Sequence, residues 1–255
     1  MSIKLQHIYA WFVHIFTAGG GIFSVLAIIS SIQAYAAKIS ANTLDFIFYL
    51  KLSFAYTVIA IVIDAIDGTL ARQVNIKKLT PFDGGLLDNL IDFINYTVAP
   101  SIWIFIVDIV PAKFKIATLT MIVLGSCYQF CQINAKTKDH FFKGFPSYWN
   151  ITVYYLIYFD FSSMTNFITI VMLFILVFIP IKYVYLSRMR YVSYTKIVLI
   201  TVLIYTLIWG IATIASAIIW PKSNPVLTWF IVSYILFYFG LSVYRTVKPL
   251  HQSDK

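Results

Sequence analysis

The chain contains no glutamate: all ten of its acidic residues are aspartate. Charge of either sign is scarce, at 11% of residues against 60% hydrophobic, and the mean hydropathy is +0.84. That balance excludes an ordinary soluble globular domain. Cysteine is nearly absent too. Cys127 and Cys131 are four positions apart in one apolar run, and they read as small apolar side chains of one helix. No soluble domain, low-complexity linker or internal repeat is visible, and the longest polar connection lies around residues 135–145. No cleavable signal sequence is evident, since "AGGG" at 18–21 sits inside the first apolar run.

What the chain does have is apolar runs of about 20 residues, the length that spans a bilayer as a helix. Eight spans are predicted, at about 14–35, 44–72, 85–108, 114–134, 146–160, 164–187, 196–220 and 226–246. The fifth is short, and it is expected to tilt or to start in the interface at "FPSYWN". The expected fold is an all-α polytopic membrane bundle, a single integral membrane domain over 1–255. Lysine and arginine set its orientation. With the N-terminus in the cytoplasm, fourteen fall inside, among them Arg72, Lys77, Lys78, Lys138, Arg188, Arg190 and Lys255, and five fall outside. Both termini are therefore predicted cytoplasmic. The net charge of +9 fits this topogenic role, attraction to anionic headgroups or recruitment of an anionic substrate. Nucleic acid is not an expected partner, because the basic residues are scattered over short loops.

Half of the aspartates, Asp64, Asp67, Asp83, Asp88 and Asp92, fall within "DAIDGTLARQVNIKKLTPFDGGLLDNLID" at 64–92. Spacings of three (64, 67) and four (88, 92) place side chains on one helix face. A short connection makes the second and third spans antiparallel neighbours, so four carboxylates can converge near the cytoplasmic surface. A central membrane aspartate costs about 3 kcal/mol to insert, less near the interface, and clustered carboxylates repel unless cations intervene. Arg72 offers one positive charge. Hard oxygen ligands without histidine or cysteine suit Mg²⁺ or Mn²⁺, and a metal pair bridged by carboxylates suits displacement at phosphorus. Gly68, Ala71, Gly84 and Gly85 are small enough to admit a bulky ligand, and Arg72 can anchor a phosphate. Asp83 is expected to cap the third span rather than to bind metal. Charge and spacing alone leave two readings open, metal-dependent phosphotransfer and an intramembrane cation-transport site.

The segment "DAIDGTLAR" followed by "GGLLDNLID" resembles the D-x-x-D-G-x-x-A-R…G-x-x-x-D-x-x-x-D pattern of the CDP-alcohol phosphotransferases. Eleven residues, 73–83, separate the two halves where the family usually has nearer eight. That longer gap is similar to the bacterial phosphatidylcholine synthase branch, as are "AWFVHIFTAGG", "FDGGLLDNLIDFINYTVAP" and "HFFKGFPSYWNITVYYL". The resemblance covers most of residues 8–160. It divides the chain into a phosphotransferase core at about 8–190 and extra C-terminal spans at about 196–246.

The resemblance implies transfer of the phosphatidyl group of CDP-diacylglycerol to choline, with CMP leaving. It implies a homodimer in a bacterial inner membrane, with the site on the cytoplasmic side. Asp64, Asp67, Asp88 and Asp92 would ligate two Mn²⁺ or Mg²⁺ ions, with Asp92 also the general base. Asp64, Gly68, Ala71, Arg72 and Gly84 would hold the CDP moiety. Choline carries no N–H, so aromatic faces are its expected partners, and Tyr96, Phe145, Tyr148 and Trp149 are the candidates, with Asp139. Asn89, His140 and Asn150 are further polar candidates, and His7, His14 and His251 read as interfacial or tail residues. The competing functions are a sibling transferase using serine, inositol phosphate or glycerol phosphate, and a cation transporter.

Overall fold

The computed structural model describes residues 3–73, 79–137, 139–185 and 196–248. Lys77, Lys78, Lys138, Arg188, Arg190, His251 and Lys255 lie outside these described residues. The elements are α1 (Ile3–Ile39), α2 (Thr43–Gln73), α3 (Gly84–Phe93), a π-helical turn (Ile94–Val98), α4 (Ala99–Val107), a 3₁₀ turn (Ala112–Phe114) and α5 (Lys115–Cys131). They continue with β1 (Phe141–Lys143), α6 (Trp149–Phe159), α7 (Ser163–Phe178), β2 (Lys182–Val184), α8 (Lys196–Ile219) and α9 (Pro225–Val247).

The protein is an all-α polytopic membrane protein. Among the described residues, six helices are long and apolar enough to cross a membrane, one of them running without a break from α3 through the π turn to α4. The fifth and sixth expected spans correspond to the shorter helices α6 and α7. The sixth ends earlier than expected, at Phe178, because the chain then turns into β2. Two compact units divide the chain. One holds Met1–Asp108 with Trp149–Tyr154, and the other holds Ile109–Tyr148 with Tyr155–Lys255.

In the first unit, α1 and α2 form a long antiparallel pair. Its buried face is rich in small residues, with Ser24, Ala27, Ser31 and Ala34 of α1 and Ser53 and Ala60 of α2 all buried. Small side chains let helix backbones approach closely, the main source of helix association in lipid. A polar node then ties α4 to this pair. Trp103 Nε1 donates to Ser53 Oγ at 2.8 Å, and Ser53 Oγ donates to the Ala27 carbonyl at 2.8 Å. The Trp103 ring meets Phe54 edge-on at 4.8 Å, and Phe54 meets Tyr154 of α6 in the same way at 5.2 Å. At the other end of α4, Lys38 Nζ donates to the Ile106 carbonyl at 2.6 Å and pairs with Asp108, a cation at a helix C-terminus where the macrodipole favours one.

The second unit contains a feature that no sequence pattern announces, a short antiparallel pair. Phe141 lies opposite Val184 and Lys143 opposite Lys182. Gly144 makes the exit from β1 with φ +80°, and a Cβ there would sit 2.2 Å from the Val177 carbonyl oxygen. Phe141, Val184 and Val202 form a buried cluster against Phe237, Tyr238 and Leu241. The α8–α9 hairpin is joined by Tyr205 Oη donating to Ser233 Oγ at 2.8 Å and by Trp209 stacked on Tyr234 at 4.6 Å.

Candidate active site

The aspartates of α2 and α3 converge. Oxygen atoms of Asp64, Asp88 and Asp92 all lie within 4.8 Å of one another, on partly buried side chains. The rise and rotation of two antiparallel helices suffice to bring these positions together. Three unscreened carboxylates at this spacing would repel by roughly 3 kcal/mol per pair at an effective dielectric near 20. A cation with oxygen ligands at about 2.1–2.4 Å holds those ligands at most twice that far apart. The triad therefore fits a hard divalent ion in both charge and size, and its all-oxygen donor set does not favour zinc.

Asp67 stands apart from the triad. It is buried, accepts a hydrogen bond from the Thr17 side chain, and feels the charges of Asp88 and Arg72. Thr17 belongs to α1, a helix with no expected part in the site, and no local pattern marks it. Gly20 and Gly21, one turn further along α1, lie against Ile91 of α3. A Cβ on Gly21 would meet Ile91 Cγ1 at 3.4 Å, so small residues let α1 seat the helix that carries Asp88 and Asp92.

Each of the expected small residues has a neighbour of its own. Arg72 is exposed and folds back along α2, where Nη2 donates to Thr69 Oγ1 at 3.0 Å. Its Nη1 lies 3.3 Å from where a Cβ of Gly68 would be, so Gly68 gives room to Arg72 itself. Ala71 packs with Leu70 and Leu79 on buried Ala10 and Val13. A Cβ on Gly84 would lie 2.8 Å from His14 Cε1 and 3.0 Å from Nδ1. His14 is thus a buried packing residue rather than an interfacial one. Its Nε2 is 2.9 Å from Thr80 Oγ1, and its ring lies 4.7 Å from that of Phe82, which ties the segment before α3 to α1. Asp83 caps α3 as expected, accepting from the amides of Gly85 and Leu86 at 3.0 Å.

Tyr96 reaches the triad as well. Its hydroxyl donates to Asp64 Oδ2 at 3.1 Å, from inside the π turn.

No protein-family model matches the chain. Individual proteins do. The chain is 44% identical over 207 residues to a phosphatidylcholine synthase of Legionella bozemanae, covering 80% of this chain and 94% of that one. It is 36% identical over 250 residues to a phosphatidylcholine synthase of Legionella pneumophila, covering 97% and 92%. The chain belongs to the phosphatidylcholine synthase family. A phosphatidylcholine synthase of Borreliella burgdorferi is similarly related, at 42% identity over 188 residues, covering 73% of this chain and 74% of that one.

The remaining candidate residues of this phosphatidylcholine synthase family member are divided between the two units. Trp149 is fully buried in the unit that carries the aspartates, beside buried Asn150, whose Oδ1 accepts from the Ile151 amide at 2.8 Å. Phe145, Tyr148 and Asp139 belong to the other unit. There Phe145 lies edge-on to Tyr183 at 6.1 Å and Tyr148 edge-on to Phe142 at 6.2 Å. Asp139 is ion-paired with Lys182 at 2.6 Å. Burial opposes ionisation of Asp139, but hydrogen bonds from Lys182 and Thr137 and the lysine's charge outweigh it and leave the carboxyl below its ordinary pKa. Burial pushes the Tyr183 phenol up to about 12, so that phenol stays neutral.

Proposed function

We propose that the protein transfers the phosphatidyl group of CDP-diacylglycerol to choline, forming phosphatidylcholine and CMP, as a homodimer in a bacterial inner membrane with its site facing the cytoplasm. The observation that carries the reading is the convergence of Asp64, Asp88 and Asp92 from two helices that are long and apolar enough to span the membrane. It is supported by the family to which the chain belongs.

The reaction is a displacement at the phosphorus that bears the diacylglycerol. The choline oxygen bonds to that phosphorus, the bond to the CMP oxygen breaks, and the hydroxyl proton goes to a carboxylate. Asp92 is the proposed base, since it reaches the triad from α3. Asp64 and Asp88 would hold Mn²⁺ or Mg²⁺, with Asp67 toward a second ion. A bound divalent cation offsets the charge that develops on the departing CMP phosphate. Arg72, exposed one turn beyond Gly68, can swing from Thr69 to the diphosphate, which would uncover the space at Gly68, whereas Ala71 and Gly84 pack on α1 and would act by seating α2 and α3. Choline's quaternary ammonium is assigned to aromatic faces, with Trp149 first because it shares the unit of the aspartates. Phe145, Tyr148 and Asp139 belong to the other unit, where Lys182 already offsets the charge of Asp139. The basic cytoplasmic face draws in the anionic headgroup while the acyl chains stay in the bilayer.

The test is CMP release by purified protein in mixed micelles with CDP-diacylglycerol and Mn²⁺. Choline, serine, inositol, inositol phosphate and glycerol 3-phosphate are offered separately. Release with choline alone, abolished by EDTA and by Asp92→Asn, is the expected result. Release with another alcohol would leave the chemistry standing and remove choline. No release with any alcohol, from folded protein that conducts divalent ions into vesicles, would replace the enzyme with a transporter.

A further inference from the structure

We infer that Tyr96 is a positioning residue of the metal site: its hydroxyl holds the Asp64 carboxylate in the orientation that presents the other oxygen to a cation. This rests on the metal-dependent part of the proposed function.

Pro100 sets the local geometry. A proline inside a helix has no N–H to donate, and its ring crowds the carbonyl four residues earlier, here that of Tyr96. The chain answers by widening the turn just before it. Residues Ile94–Val98 are π-helical, and the Ala99 amide donates to the Ile94 carbonyl, five residues back. Such wide turns inside α-helices are frequent at functional sites. This one directs three consecutive polar-bearing residues, Asn95, Tyr96 and Thr97, into the protein, all of them buried. Tyr96 spends its hydroxyl on Asp64 Oδ2, at 3.1 Å and across to the neighbouring helix.

That contact joins the two halves of the aspartate motif by a second route. Asp64 is on α2, while Asp88 and Asp92 are on α3, and Tyr96 lies one turn beyond Asp92. A carboxylate with one oxygen held by a phenol loses rotational freedom, and its other oxygen stays aimed. Outer partners of metal ligands commonly act in this way, and their loss typically weakens metal binding about 10–100-fold. A ring that only lined the acceptor site would have no need of its hydroxyl, because cation–π attraction comes from the ring face.

The experiment compares Tyr96→Phe with the wild type in detergent micelles. Mn²⁺ binding is measured without either substrate, from the electron paramagnetic resonance signal of free Mn²⁺. Metal-free melting serves as the fold control, and CMP release gives kcat and the KM for choline. The expected result is Mn²⁺ binding weakened on the order of tenfold, a rate that recovers as Mn²⁺ is raised, and an unchanged KM for choline. Tyr96→His, which keeps a ring donor, restores part of the affinity, and Tyr96→Leu, which also lacks the hydroxyl, replaces the Phe variant should the latter not fold. Equal Mn²⁺ affinity in wild type and variant overturns the inference, whether or not the KM for choline rises. Wild-type protein that binds no Mn²⁺ overturns both this inference and the metal site. Wild-type protein that binds Mn²⁺ but releases no CMP sinks the proposed reaction and leaves the Tyr96 result to be read from binding.

Discussion

Gly84→Ala tests whether the second glycine of the motif serves packing or substrate. An added Cβ would stand 2.8 Å from His14 Cε1 and 3.0 Å from Nδ1, well inside ordinary van der Waals contact. The ring cannot easily yield. It is buried, bonded to Thr80, and packed between Phe82 at 4.7 Å and Trp11 at 5.8 Å. Overpacking of this kind costs about 1–3 kcal/mol, which corresponds to roughly 2–4 °C of melting temperature per kcal/mol at this chain length. The control is His14→Ala, which removes the obstacle. In a double-mutant cycle read by thermal melting in detergent, Gly84→Ala should destabilise the wild type by about 2 kcal/mol and the His14→Ala background by far less, a coupling typical of residues in contact. The same four proteins assayed for CMP release should show the KM for CDP-diacylglycerol following stability. Equal destabilisation in both backgrounds, or a raised KM with unchanged melting, would refute the packing argument and return Gly84 to the substrate.

Two further outcomes concern the second unit. Gly144→Ala should be severe, by about 3 kcal/mol or more, because it combines a left-handed φ of +80° with a Cβ 2.2 Å from the Val177 carbonyl oxygen; a melting temperature within about 2 °C of wild type in the same detergent assay would contradict it. Asp139→Asn should lower stability modestly, within about 1 kcal/mol, because the pair with Lys182 is partly exposed. The sign of its pH dependence follows from the lowered pKa. Asp139 stabilises the fold fully above its ordinary value of 3.8 and loses that contribution as pH falls through the lower folded value. The gap between wild type and variant should therefore be present at about pH 6 and close in acid. A gap that widens in acid would contradict it.

The sequence by itself determines much of the site. Membrane class follows from composition, and convergence of Asp64, Asp88 and Asp92 follows from the spacing of four between Asp88 and Asp92 and the short connection that pairs α2 with α3, whereas the spacing of three from Asp64 did not bring Asp67 into the triad. Both rest on short-range geometry, the fixed rise and rotation of a helix, which a linear pattern encodes directly. The cap at Asp83 is legible for the same reason, since it involves only the next few amides.

What only the tertiary structure decided is which groups from elsewhere touch that pattern. Thr17 meets Asp67 from fifty positions earlier in the chain, and His14 fills the space at Gly84, because α1 packs along α2 and α3. The ring of Tyr96 makes it a candidate partner for choline, yet its hydroxyl goes to Asp64 through a π turn that helical periodicity does not express. The strands Phe141–Lys143 and Lys182–Val184 pair across about forty residues, and each is too short to carry an alternating pattern. Contacts of this kind depend on how helices seat against one another. Small buried residues such as Gly20, Ala27 and Ser53 set that seating in three dimensions, and in a linear sequence this apolar they look like any others.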